Sequence, residues 1–415
     1  MEAIIERCCG LDVHQATVVA CVLVGEGVRR PKKEVRTFRT VGRELRALGD
    51  WLRGLGVTHV GMESTGVYWV PVYRVLEGEF ALVVGNAQHI KNVPGRKTDV
   101  KDSEWLAHLV RCGLIRPSFV PPLPIRELRE LTRARRSLTN DQARVRNRIQ
   151  KLLETAGIKL ASVASDVFGV SGRAMLRALA DGQTNAAALA QLAKGSLRRK
   201  LQALVEALEG TFEAHHRFLL GFLLDRLAEA EAAVTALDRH LDEKLAPFAD
   251  KLALLQQVPG FDRVTAASFI AETGGDMTVF PTARHLAAWT GVCPGNNETG
   301  GKPRPSGARK GNPHLVTTLV QAALGAVRKR DSYYKDKYWR LRTRRGAMRA
   351  MVAIAHKLLV AAYHMLSSNQ PFVDLGHEYL ARRSVADSSR NLVRRLEALG
   401  YDVTLSPREV APGVS

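Results

Sequence analysis

Two short apolar runs near the start of the chain each stop at a carboxylate, and this pairing constrains the fold more than any other feature. The first run ends in Gly10-Leu11-Asp12-Val13-His14, the second in Gly61-Met62-Glu63-Ser64-Thr65-Gly66. Apolar runs of this length, bounded by turn residues, read as buried β-strands. Further on, Lys97-Thr98-Asp99-Val100-Lys101-Asp102 sets two more carboxylates three residues apart at the opening of a helical pattern. That spacing puts both on one helix face. Any one of them reads most simply as a cap or turn residue. All four together, at strand and helix ends in this order, can converge on one point. Hard cations such as Mg²⁺ take oxygen clusters of this kind. Two metals so held activate a nucleophile and stabilise a leaving oxygen in phosphoryl transfer.

The surrounding pattern supplies a frame for such a site. Residues 4–24 read as a hairpin with its turn between Gly10 and Ala16, and Val35 to Thr40 as a third strand. Leu45, Leu48, Leu52 and Leu55 give Arg43 to Leu55 helical spacing. A strand from Val57 to Met62, a helix after Gly66, a strand from Phe80 to Val84 and a helix from Asp99 to Cys112 follow. The order β-β-β-α-β-α-β-α is that of an α/β ribonuclease H-like domain, here spanning 1–118. Pro117 and Pro121-Pro122-Leu123-Pro124 read as a linker.

Beyond the linker the pattern is helical. Arg126 to Ala156 and Leu197 to Leu245 read as two long helices with a helical insert between them, a coiled-coil arm over 119–250. A mostly α-helical segment over 251–370 opens with Val258-Pro259-Gly260-Phe261-Asp262, which resembles a helix-hairpin-helix turn. Such turns aim N–H groups at phosphate, and Asp262 stands where a second glycine is expected. Helical patterns recur at Leu315 to Val327 and Met348 to Leu366, and a helical tail occupies 371–415, its helix from Asp387 to Leu399. Met351 to Leu366 is the most apolar stretch. His356, Lys357 and His364 interrupt it, so it reads as too short and too polar to span a membrane.

The formal charge is +20, which calls for a polyanionic partner, and phosphate chemistry makes that partner nucleic acid. The excess is concentrated. Residues 124–160 hold ten Lys and Arg against four Asp and Glu, and 301–350 hold fourteen against two. Arg133, Arg136, Arg144 and Arg148 read as one face of a nucleic-acid clamp on the arm. The five cysteines form no Cys-x-x-Cys pair, which argues against a zinc ribbon and for reduced thiols. The adjacent His215 and His216 read as a surface pair.

A second constellation is Gly291-Val292-Cys293-Pro294-Gly295-Asn296-Asn297-Glu298-Thr299-Gly300-Gly301-Lys302, followed by Ser306-Gly307-Ala308-Arg309-Lys310-Gly311-Asn312. It is a glycine-rich basic loop feeding a helix. Asn296 at the upstream glycine position and Pro303 after the lysine exclude a Walker phosphate loop. Its hydroxyls and its cations Lys302, Arg309 and Lys310 suit a nucleophile that attacks DNA phosphate.

These two constellations, with a helical arm between them, resemble the DEDD-type insertion-sequence transposases. These are bridge-RNA-guided recombinases with a RuvC-like N-terminal domain and a C-terminal transposase domain. The resemblance covers about residues 5–115 and 250–366. It rests on the acidic quartet, Ser64-Thr65-Gly66-Val67-Tyr68-Trp69, Val258-Pro259-Gly260, Cys293-Pro294-Gly295-Asn296-Asn297 and Arg309-Lys310-Gly311-Asn312. It implies that Asp12, Glu63, Asp99 and Asp102 coordinate Mg²⁺, and that a loop hydroxyl forms a covalent link to DNA. In the family that hydroxyl belongs to a serine eleven residues before the lysine of Lys-Gly-Asn; here the position is Thr299, with Ser306 nearby at a different spacing. The resemblance also implies DNA element ends and target as substrates, a guide RNA, a homo-oligomer (dimer or tetramer) and a cytoplasmic, nucleoid-associated protein without a membrane partner. A Mg²⁺-dependent structure-specific nuclease of the junction-resolvase kind, and an inactive nucleic-acid-binding derivative, are the alternatives the residues leave open.

Overall fold

The computed structural model describes residues 4–25, 31–94, 101–295, 298–299, 301–303, 307 and 311–405, by backbone alone at 298–299, 303, 384–388 and 391. The chain divides into two compact units, Met1–Val120 and Pro121–Ser415.

The first unit is built on a five-stranded sheet. Its elements run β1 (Arg7–Val13), β2 (Thr17–Val24), β3 (Lys32–Arg39), α1 (Gly42–Gly54), β4 (His59–Glu63), α2 (Trp69–Leu76), β5 (Ala81–Gly85), α3 (Ala87–Lys91) and α4 (Asp102–Arg111). The strand order is β3-β2-β1-β4-β5. β2 is antiparallel to both β1 and β3, while β1, β4 and β5 are parallel. This is the ribonuclease H-like arrangement. Alternation along β1 sends Cys9 and Leu11 to one face, where they pack with Leu45, Leu48 and Leu52 of α1 and Val72 and Leu76 of α2. Cys8 lies on the other face, packed with Trp105, Leu106 and Leu109 of α4.

Gly10 and Gly61 let α4 reach that second face, and Gly85 makes room for Ile90 of α3 and for Ile115. A Cβ on Gly10 would overlap the backbone of Ser103 and Ala107; one on Gly61 would overlap Val110, and one on Gly85 would press on Ile90 and Ile115. The sequence patterns of β1 and β4 thus carry a gap wide enough for a helix to lie close on the sheet.

The second unit is helical. It begins with α5 (Leu123–Thr155), which starts within the proline run expected as a linker, because Pro124 in the first turn lacks only an N–H the helix does not use. Then come α6 (Leu160–Val163), α7 (Val170–Ala180), α8 (Ala186–Ala190), α9 (Leu201–Leu208) and α10 (Ala214–Leu245). The expected single helix over Leu197 to Leu245 is broken at 209–213. Gly210 there lies against the Ala156 carbonyl, and Thr211 N–H donates to that same oxygen at 2.9 Å. α5 and α10 pack along each other. Their distal halves share a core with α7, α8 and α9 around Ile149, Leu176, Leu204 and Leu220. Midway the contact is polar: Gln142 donates to the Ala230 carbonyl at 3.0 Å, and Arg146 pairs with Glu231 at 2.9 Å.

The remaining helices are α11 (Ala249–Leu255), α12 (Arg263–Thr273), α13 (Ala283–Thr290), α14 (Pro313–Ala326), α15 (Tyr333–Arg345), α16 (Ala347–Ser368) and α17 (Tyr379–Ala398). α12 is apolar nearly all round and buried among α5, α11 and α14, as such a helix must be. The turn at Gly260 (φ +84°) is a packing joint: it lies against Ala322 and Gly325 of α14. Asp262 caps α12 by accepting from Thr265 N–H at 2.7 Å. α16 runs 22 residues, longer than its sequence pattern suggested, and is long and apolar enough by length and composition to cross a membrane. In this fold it is a core helix packed on α13, α14 and α15.

Candidate active site and nucleic-acid face

Asp12 and Glu63 emerge at the carboxyl ends of neighbouring parallel strands. The register pairs Leu11 with Met62, so the next residues, Asp12 and Glu63, leave the sheet side by side. Both lie two positions beyond a glycine, Gly10 or Gly61, that faces α4, so alternation turns both toward that helix. Asp102 is the first residue of α4, where a carboxylate also favours the positive helix terminus. The crevice outside the carboxyl ends of parallel strands is the usual place for a site in such a sheet.

The electrostatics agree with this convergence. Burial pushes the Asp12 carboxyl above its ordinary range, the nearby His14 opposes that shift, and the charges of Asp102 and Glu63 add to it. His14 Nε2 lies 3.2 Å from Asp12 Oδ2. Glu63 accepts a hydrogen bond from the Thr65 hydroxyl. Asp99 lies outside the described residues. The charges of Glu63 and Asp102 make Asp12 costlier to ionise, and carboxylate oxygens are the donors that a hard divalent cation takes.

The glycine-rich loop is held at both ends. At its start Gly291 (φ +91°) closes α13, and Gly295 N–H donates to the Gly307 carbonyl at 3.1 Å. Between them two short strands, β6 (Glu298–Thr299) and β7 (Lys302–Pro303), pair antiparallel, with Thr299 opposite Lys302. Thr299 therefore lies beside the turn of a tight hairpin, where Gly301 takes φ +74°. Lys302 is exposed. The Thr299 side chain and all of Ser306, Arg309 and Lys310 lie outside the described residues. At the loop's end Gly311 packs onto the Thr290 carbonyl, leaving no room for a side chain. Asn312 then caps α14, accepting from His314 and Leu315 N–H at 3.0 and 3.1 Å.

That cap belongs to a buried ionic cluster which sequence reasoning missed. Glu272 on α12 is 2% exposed. It receives Asn312 Nδ2 at 2.6 Å and a two-pronged bond from Arg133 at 2.8 and 2.8 Å. Arg129 donates to the Ala271 and Glu272 carbonyls, and Arg136 to the His314 carbonyl and the Thr318 hydroxyl. Arg133 and Arg136, expected to face nucleic acid, thus spend their donors inside the fold, tying α5 to α12 and α14. Arg144 and Arg148 are exposed on the distal arm, Arg144 with Asp141 beside it. The only hint in the sequence was the spacing of Arg129, Arg133 and Arg136, which places all three on one helix face.

Glu213, His215 and His216 bring three ligand-type atoms within 4.8 Å of one another. The geometry serves the start of α10: His216 Nδ1 accepts from Glu213 N–H at 3.2 Å while Glu213 caps the helix. That bond engages His216 Nδ1 in capping the helix.

Comparison with known proteins matches the two constellations. Residues 9–158 match the family model of the DEDD transposase of IS110 elements, and residues 252–339 that of the transposase of the IS116/IS110/IS902 family. A Pseudomonas aeruginosa protein named "Probable family 20 transposase" is 27% identical over 67% of this chain and 74% of its own. The 42 kDa protein of insertion element IS900 from Mycobacterium paratuberculosis is 28% identical over 69% of this chain and 78% of its own. The transposase of element IS1111A from Coxiella burnetii is 31% identical over a shorter stretch, 28% of this chain and 33% of its own. The two family models occur in the same order as the acidic site and the loop and together match more than half of the chain, which belongs to the IS110 family of DEDD transposases.

Proposed function

We propose that this transposase cuts and joins DNA through a covalent protein–DNA intermediate, with the acidic site and the hydroxyl loop as its two working parts. Asp12, Glu63, Asp99 and Asp102 hold Mg²⁺, which when bound stabilises charge on phosphate oxygens. The observation that carries the reading is the exit of Asp12 and Glu63 side by side from parallel strands, with Asp102 close enough to disturb Asp12.

The chain's own groups do the rest. The Thr299 hydroxyl attacks a backbone phosphorus; its Oγ–P bond forms as one bridging P–O bond breaks. The hydroxyl proton ends on the departing DNA oxygen, so the strand break leaves one free hydroxyl end and one end linked to protein. The loop's glycines let backbone approach the phosphate, and Lys302, Arg309 and Lys310 offset its charge. In a homo-oligomer, dimer or tetramer, the acidic site of one subunit faces the loop of another. Arg144, Arg148 and the basic 301–350 stretch hold element ends, target DNA and a guide RNA through phosphate.

The test is cleavage of element-end DNA by the full chain with its RNA, at increasing Mg²⁺, beside direct Mn²⁺ binding. Cleavage that needs metal, and loss of both binding and cleavage in Glu63→Gln, support the reading. Full cleavage in chelator refutes it.

A further inference from the structure

The second unit contains a cavity of about 530 Å³ that the acidic site and the threonine do not use. This size falls within the ~300–1,000 Å³ typical of small-molecule sites. One part of its lining is the base of the glycine-rich loop, Val292, Pro294 and Gly307. The rest comes from α15 and α16, where Leu341, Val352 and Ala353 are apolar and Met348 stands exposed at the rim. Lys337, Arg349 and Lys357 line the same space.

The charges here are unbalanced. Among the described residues no carboxylate pairs with Lys337, Arg349 or Lys357. Asp336, the acid of α15, is taken by Arg340 at 2.9 Å. Burial lowers the Lys337 pKa, and the charges of Lys357, Arg344, Arg383 and Arg340 lower it further. A lysine in that position gains most from an anion. An apolar lining beside unpaired cations matches a nucleotide: a flat base that prefers to leave water, and a phosphate that needs positive charge.

We propose that this cavity receives one nucleotide of a bound DNA strand, its base against the apolar lining and its phosphate on Lys337, Arg349 and Lys357. The inference rests on the transposase reading and adds a base-holding site at the foot of the loop that carries Thr299. A strand is favoured over a free nucleotide because the positive surface continues past the cavity. Arg342, Arg344 and Arg345 are exposed along α15, and Trp339, with Arg342 4.7 Å over its ring, is 49% exposed. One nucleotide needs none of these; a polynucleotide backbone uses them all.

The test uses the full-length chain without divalent cation, so an enzyme unable to cut passes as readily as one that cuts. Single-stranded and duplex oligonucleotides with one 5-iododeoxyuridine are irradiated on the protein, and the linked peptides are mapped. Links to peptides holding Cys293, Met348 or His356 are expected, and Ala353→Trp, which fills the cavity, removes them. Oligonucleotide affinity then falls about fivefold or more, the scale of one lost stacking partner. Lys357→Ala, at an exposed position, leaves the fold alone and reduces both link yield and affinity. Links confined to other segments, or wild-type affinity in Lys357→Ala, overturn the proposal. So does loss of the cavity links to millimolar thymidine monophosphate with oligonucleotide affinity unchanged, which assigns the cavity to a free nucleotide.

Discussion

Removing the Glu272 carboxylate should unlock the far end of the hydroxyl loop. Burial pushes the Glu272 carboxyl up, but hydrogen bonds from Arg133 and Asn312 and the charges of Arg133 and Arg129 outweigh burial and hold it below its ordinary range. Glu272→Ala leaves Arg133 and Arg129, 38% and 17% exposed, facing no counter-charge, and strips Asn312 of the acceptor that fixes its side chain. Breaking one side of a buried pair costs about 3–5 kcal/mol. In a unit of this size each kcal/mol is worth roughly 2 °C, so melting should fall by about 6–10 °C. Because the folded carboxyl is depressed, its stabilisation is complete above the unfolded value and is lost as pH drops through the folded one. The gap between wild type and Glu272→Ala should therefore close below about pH 4.5. Circular dichroism melts at pH 7 and across pH 3–5 check both points. A variant that melts within ~2 °C of wild type at pH 7 would show that the cluster does not hold the loop in place.

Four further outcomes follow from the same structure. Asp12→Asn, Glu63→Gln and Asp102→Asn should each cut strand cleavage by ~10²-fold or more. Because Asp12 is raised, its ionisation costs stability as pH climbs from the ordinary Asp value through the raised one, so metal-free Asp12→Asn should be at least as stable as wild type at pH 7 in urea titrations. Arg144→Ala with Arg148→Ala should lower the slope of log affinity against log salt by up to roughly 0.9 per lost phosphate contact, whereas Arg133→Ala and Arg136→Ala should show mainly as lost stability. Gly10→Ala should cost more than Gly61→Ala, both within or above ~1–3 kcal/mol by denaturant midpoint, because Gly10 meets helix backbone and Gly61 meets only the side chains of Val110 and Ile115.

What the sequence made legible was governed by local rules. Asp12 and Glu63 end apolar runs of strand length, so periodicity alone set them at the strand ends. What it hid was non-local. Nothing local tells that Gly10 and Gly61 clear a path for α4. Nothing in a basic helix says which arginine will meet an acid 139 residues away, so Arg133 resembled its exposed neighbours Arg144 and Arg148. The break before α10 escaped because Leu and Ala spacing runs on through it, and it is set by Gly210 fitting against Ala156. The short α3 after β5 was likewise unforeseen, its start fixed by the Asn86 cap on Gln88 N–H.

The central claim is that Thr299 carries the DNA. Its most direct measurement is a trapping assay on a suicide substrate whose cleaved strand cannot be rejoined, with the linked peptide mapped by mass spectrometry. One DNA-linked peptide modified at Thr299 is expected, lost in Thr299→Ala, retained or increased in Thr299→Ser, where less bulk crowds the attacking oxygen, and little changed in Ser306→Ala. A link at Ser306, or metal-dependent cleavage with no protein-linked DNA at all, contradicts it.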